Sequence, residues 1–110
     1  MKKIKIKATE NEIQNTVCQY LQLKRYVFWR QNNTAIYDPL RKRYRKMPEY
    51  SRKGVSDVIA VNNSIVYFLE FKRAGCYQSK EQKMFEEDVT KSGGVYSVIR
   101  TLEDVKELGL

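Results

Sequence analysis

Glu70 and Lys72 close an otherwise apolar run, Ile65-Val-Tyr-Phe-Leu-Glu-Phe-Lys72. In an extended strand alternate side chains face the same way. The acid and the ammonium therefore share one face, while Leu69 and Phe71 turn to the other, into packing. Asp57 interrupts a second apolar run, Val55 to Val61. The turn at Asn62-Asn63-Ser64 between the two runs predicts an antiparallel hairpin. Positions equidistant from that turn lie opposite each other, which sets residue 57 against residues near 69–71 and makes Asp57 and Glu70 neighbours at one end of the hairpin. Two carboxylates brought together repel and raise each other's pKa, and a divalent cation is the usual remedy. Mg²⁺ is held through one or two carboxylates, waters and a substrate phosphate. Lys72 would then hold or polarise the attacking water, or contact the phosphate. Each residue also has a plainer reading. A Glu-x-Lys at a strand end is commonly a solvated ion pair, and an Asp in a strand commonly marks an edge.

The helices that would complete such a site announce themselves by period and caps. Residues 9–25 carry Ile13, Val17, Tyr20, Leu21 and Lys24 at helical spacing. Thr9 with Glu12 three residues later is a capping box. Glu10 lies three residues before Ile13 and seven before Val17, on the inward face, where an unemployed glutamate is uncommon. The alternative is the helix dipole, which welcomes any acid in a first turn. Glu12 is already accounted for by the cap, so Glu10 is preferred as the functional acid, with Gln14 one turn beyond on its side. Ser79-Lys-Glu-Gln82 is a second capping box, opening a helix to about Lys91 with Met84, Phe85 and Val89 on one face. Gln82 has two readings, as a cap and as a side chain reaching the site or a DNA backbone.

Tyr26-Val-Phe-Trp-Arg30 and Val95-Tyr-Ser-Val-Ile99 read as strands. Gly93-Gly94 stops the second helix, and Thr101 caps a short final helix to Leu108. The order α, β, ββ, α, β, α predicts one layered α/β domain over residues 1–110, with a mixed sheet flanked by helices. A chain of 110 residues fits one domain. At 42% hydrophobic it supports one modest core, with room for help from a partner subunit.

The chain contains no histidine. That excludes Ser-His-Asp triads, Cys-His pairs, histidine metal sites and histidine general bases. Hydrolytic chemistry would have to run on carboxylates, lysine and a hard cation bound through oxygen. Cys18 and Cys76 are far apart and in no CxxC pattern, which argues against a zinc ribbon or a disulfide scaffold and for reduced thiols in a cytoplasmic protein. The first seven residues carry charge with no signal-length apolar run behind it. No stretch approaches the roughly 20 apolar residues of a membrane helix. A soluble, intracellular protein is expected.

The net charge of +8 and pI near 9.5 favour a polyanionic partner, nucleic acid first. Solubility alone would also account for such a charge, so its placement matters. Residues 32–54, broken by Asp38-Pro39, Pro48 and Gly54, read as an extended surface hairpin or loop. From Arg41 to Lys53 this segment carries seven basic residues (Arg41, Lys42, Arg43, Arg45, Lys46, Arg52 and Lys53) against the single acid Glu49. It leads directly into the strand that bears Asp57. These residues, with Arg30, are the expected DNA-backbone contacts. Tyr37, Tyr44 and Tyr50 are interleaved among them, either to stack on bases or sugars or to anchor the hairpin.

The run Gly54-Val-Ser-Asp57, twelve residues, then Glu70-Phe-Lys72 resembles the PD-(D/E)XK nuclease core. More closely, residues 9 to 100 resemble a stand-alone VRR-NUC domain of the kind found in phages and bacteria. The resemblance includes Thr9-Glu-Asn-Glu-Ile-Gln14, Trp29-Arg-Gln-Asn32, Tyr37-Asp-Pro39 with the basic segment behind it, and Ser79-Lys-Glu-Gln82. It implies a restriction-endonuclease-like αβββαβ core and Mg²⁺- or Mn²⁺-dependent hydrolysis of DNA phosphodiesters. It also implies a homodimer acting on branched DNA, as in the related Holliday-junction resolvases. It maps metal ligation to Glu10, Asp57, Glu70 and the backbone carbonyl of Phe71, and catalytic roles to these acids with Lys72 and Gln82. The family's usual proline before the aspartate is Ser56 here, a departure that removes no ligand. Two other readings stay open: a DNA-binding scaffold with an inactive nuclease fold, and an RNA-binding protein.

Overall fold

The computed structural model describes residues 7–31, 37–45 and 48–110. Lys46 and Asn32 lie outside the described residues. Helix α1 spans Glu10–Leu23, followed by β1 at Val27–Arg30, a short hairpin of β2 (Tyr37–Asp38) and β3 (Arg43–Tyr44), then β4 at Val58–Asn62 and β5 at Ile65–Phe71. Helix α2 spans Lys80–Lys91, β6 spans Val95–Ile99, and α3 spans Leu102–Glu107. Leaving aside the β2–β3 hairpin, this is the expected order of elements. No helix among the described residues is long and apolar enough to cross a membrane.

The four main strands form one mixed sheet in the order β1-β4-β5-β6. β4 pairs antiparallel with both β1 and β5, and β6 lies parallel to β5 after the α2 crossover. The β4–β5 register follows from its turn. Asn62 pairs with Ile65, leaving Asn63 and Ser64 as a two-residue loop with φ of 50° and 65°. Positive φ at both central residues is what a type I′ turn requires, and asparagine tolerates it. The turn is thus one residue shorter than expected, with the same pairing.

Strand alternation divides the sheet into two faces. Tyr67, Leu69 and Phe71 of β5 lie in register with Val58 and Ala60 of β4 and with Ile99 of β6. They are buried with Ile13, Val17 and Leu21 of α1, Val105 of α3 and Leu110. The opposite face carries Phe68, Glu70 and Tyr96 and is covered by α2, whose Phe85 meets the rings of Phe68 and Tyr96 edge-on at 5.3 and 6.0 Å. Met84, expected on the same helix face, is instead 53% exposed. Lys24, expected on the α1 stripe, is the exposed C-cap of α1.

Boundaries differ from expectation where side chains take over from the ladder. The capping boxes expected at Thr9 and Ser79 are present, and Thr101, expected as an N-cap, forms a third with Asp104. β4 begins at Val58 rather than Val55. The reason is Gly54, which has φ +80° and runs against the first turn of α2. A Cβ there would stand 2.5 Å from the Glu81 carbonyl carbon and oxygen and 2.8 Å from the Gln82 nitrogen. Only glycine permits this contact, and it joins the segment entering Asp57 to the helix start that carries Gln82. Gly54→Ala therefore combines strained backbone with a main-chain collision. It is expected to cost at least about 2 kcal/mol of unfolding free energy in urea titrations. An unchanged midpoint would show that the loop and α2 separate freely.

Candidate functional site

Asp57 sits one residue before β4, opposite Glu70, because Val58 pairs with Leu69. Its backbone and side chain are both engaged. Its carbonyl accepts from the Gln31 N–H at 2.8 Å, continuing the β1–β4 ladder, and its Oδ2 accepts from the Phe71 N–H at 2.9 Å. The carboxylate thus takes the place of a strand carbonyl where the β4 ladder has ended. Ser56 beside it is fully buried, its Oγ donating to the Val58 carbonyl at 3.4 Å.

Glu70 is 2% exposed, so it is not the solvated ion pair that Glu-x-Lys commonly makes. Its pKa is raised from 4.5 to about 8, first by burial and then by the negative charge of Asp57. Lys72 acts in the opposite direction, while a hydrogen bond to Asp57 in the protonated form and the charge of Glu10 add to the rise. At neutral pH the side chain is therefore mainly a neutral acid. Its Oε1 accepts from Gln82 Nε2 at 2.8 Å, whereas its Oε2 is buried with no hydrogen-bond donor.

Gln82 caps α2 and also reaches Glu70. Its Oε1 accepts from the Ser79 N–H at 2.8 Å and its own N–H donates to Ser79 Oγ at 3.2 Å, completing the capping box. That leaves the amide NH₂ free to fix Glu70. A glutamate would cap equally well, but it has no NH₂ to donate. Lys72 is half-buried just past the end of β5, where its N–H donates to the Ile99 carbonyl at 3.1 Å and its charge is felt at Glu70.

Glu10 is placed differently from expectation. It is the first residue of α1 and exposed, not turned inward, although its charge still reaches Glu70. Glu12 is held in the Thr9 cap, as expected. The close pair is therefore Asp57 with Glu70. Among the described residues no three acidic or cysteine side chains gather as a metal-binding group. The pair does fit a hard divalent cation. It offers oxygen donors only, one of them a buried oxygen without a donor, which is chemistry suited to Mg²⁺ or Mn²⁺.

The basic residues sort into engaged and free. Arg30 donates to Asn15 Oδ1 from the end of β1. Arg52 pairs with Asp88 on α2 and covers the Phe85 ring at 5.2 Å. Arg41 lies 3.8 Å from Asp38 yet remains 70% exposed. Lys42, Arg43, Arg45 and Lys53 are exposed. Tyr37 and Tyr44 face each other edge-on across the hairpin at 5.4 Å, so these two brace it, while Tyr50 stands 96% exposed.

Two neighbours of the site escaped the sequence reading. Tyr96 lies on the Glu70 face of β6, its hydroxyl accepting from Gln78 Nε2 at 3.1 Å. Burial, followed by the charges of Glu70, Glu86 and Asp57, holds its proton on well beyond the usual tyrosine range. Arg100 Nη1 donates to the carbonyls of Arg73 and Cys76, each at 2.8 Å, and braces the loop that follows Lys72. Only the parallel β5–β6 register, not visible as a motif, brings either one here. Comparison with protein-family models, with curated proteins and with solved structures gives no match.

Glu70 titrates at about 8 in the folded chain and near its ordinary 4.5 when unfolded. Between those values the folded state binds the extra proton, so stability falls as pH rises through the window and levels off above it. In EDTA, urea unfolding of the wild type should weaken from pH 4.5 to 8 relative to Glu70→Gln, by on the order of a few kcal/mol. Parallel curves for the two proteins would mean that Glu70 is not a buried acid.

Proposed function

We propose that the chain is a metal-dependent, structure-specific DNA endonuclease with a restriction-endonuclease-like core of the VRR-NUC kind. The observation that carries the reading is the Asp57–Glu70 pair: two carboxyl groups set opposite each other at the end of the β4–β5 pairing, one of them 2% exposed and holding an oxygen with no hydrogen-bond partner. A purely structural role offers no reason to bury a second acid beside the first. The Glu-Phe-Lys end of β5 and the basic segment before Asp57 add to it.

Asp57 and Glu70 would hold Mg²⁺ or Mn²⁺, with Glu10 and the Phe71 carbonyl as the further donors implied by the resemblance. When bound, such an ion supplies Lewis acidity toward the scissile phosphodiester and a water acidified to react near neutral pH. The protein's own groups do the rest. Phe71 N–H orients Asp57, and Gln82 orients Glu70 through Oε1, leaving Oε2 for ligation. Glu70 would pass its proton to solvent on holding such an ion. Lys72 positions the attacking water or offsets the negative charge that grows on the phosphate in the transition state. Arg41, Lys42, Arg43, Arg45 and Lys53 contact the backbone of branched DNA without reading bases. A homodimer and a cytoplasmic setting belong to the same proposal.

Purified protein would be offered a labelled four-way junction, a flap, a duplex and a single strand, each with Mg²⁺, Mn²⁺ or EDTA. The expected result is cleavage that needs metal, prefers a branched substrate and falls at least about 10²-fold in Lys72→Ala. Binding with no cutting under any metal would leave the non-catalytic DNA-binding scaffold as the reading.

A further inference from the structure

The β2–β3 hairpin ends in the four-residue loop Pro39-Leu40-Arg41-Lys42, and its Leu40 is 94% exposed. Single exposed leucines are ordinary on protein surfaces. This one differs in how it is held. The Leu40 and Arg41 N–H groups donate to Asp38 Oδ1 at 3.0 and 3.4 Å, an Asx turn that fixes the apex. Pro39 restricts its own φ, Lys42 takes the left-handed conformation at φ 53°, and Tyr37 and Tyr44 brace the base. Asp38 is only 17% exposed and lies beside Arg41, so it spends its charge inside the turn. Arg41, Arg43, Tyr44 and Arg45 line an open depression with it. The result is a braced apolar point with cationic shoulders.

We propose that Pro39 and Leu40 form a wedge that enters between stacked bases of DNA already weakened at a branch, while the arginines hold the flanking phosphates. A two-stranded ribbon fits a DNA groove, and leucine and proline are among the side chains that unstack a base step. Opening an intact step costs about as much as burying one leucine returns, so a single wedge gains most where stacking is already lost. That confers preference for branched over regular duplex DNA without any base contact. This inference rests on the DNA-binding part of the proposed function and is independent of cleavage.

The test uses the whole chain in EDTA with a four-way junction carrying 2-aminopurine at its crossover, the matching duplex and a single strand. Wild type should raise the 2-aminopurine emission of the junction. Leu40→Ala should abolish the rise and weaken junction binding about tenfold, with single-strand affinity and salt dependence unchanged. Leu40→Met should restore both. Arg45→Ala should instead weaken all three DNAs and flatten the salt dependence. Because Leu40 is almost fully exposed, its variants should unfold at the wild-type temperature. Wild-type emission and junction affinity in Leu40→Ala would overturn the wedge, as would an equal loss on all three DNAs. Cleavage with metal in that case would leave the nuclease standing. Leu40-dependent emission in a protein that never cuts would sink hydrolysis and keep the wedge, and failure to bind any DNA would end both.

Discussion

Glu70 is a carboxyl group almost closed off from water beside a second carboxylate. Ionised, it would carry both a desolvation cost and a repulsion. The protein meets this at neutral pH by keeping the proton, and a cation would meet it by replacing the proton. Much of the surrounding architecture serves that arrangement. The β4–β5 register brings the pair together, the Phe71 N–H takes Asp57 where the ladder ends, and Lys72 partly offsets the charge.

The α2 side of the sheet is tied to the same pair by an economical use of one amide. Gln82 spends its oxygen on the helix cap and its nitrogen on Glu70. The two bonds make the start of α2 and the acid one rigid unit. Gly54 extends that unit to the segment entering Asp57, because its missing side chain lets two backbones touch. Local signals for a cap and for a chain break thus turn out to be parts of the site.

The hairpin and its facing acids were legible in the sequence because strand alternation and turn symmetry act over a few residues and leave little freedom. The capping boxes were legible for the same reason. Glu10 was not. Its helical phase is that of Ile13 and Val17, but it is the first residue of the helix and stands in solvent. Met84 failed likewise, since α2 presents a narrow stripe around Phe85 to the sheet. Tyr96 and Arg100 reach the site through parallel pairing across a helical crossover, which no spacing reveals. The basic segment was read by its charge, its turn residues and its tyrosines, and Leu40 at its apex carried no signal of its own.

In the proposed metal site the Glu70 proton would hold the place of a divalent cation. Calorimetric titration of Mn²⁺ into the metal-free protein, in buffers of different ionisation enthalpy, counts protons released on binding. With Glu70 titrating at about 8, the account predicts release of about one proton per ion at pH 7 and of almost none by about pH 9.5. It also predicts that Glu70→Gln neither binds tightly nor releases a proton. Tight binding at pH 7 with no proton release, or binding that survives in Glu70→Gln, would contradict it.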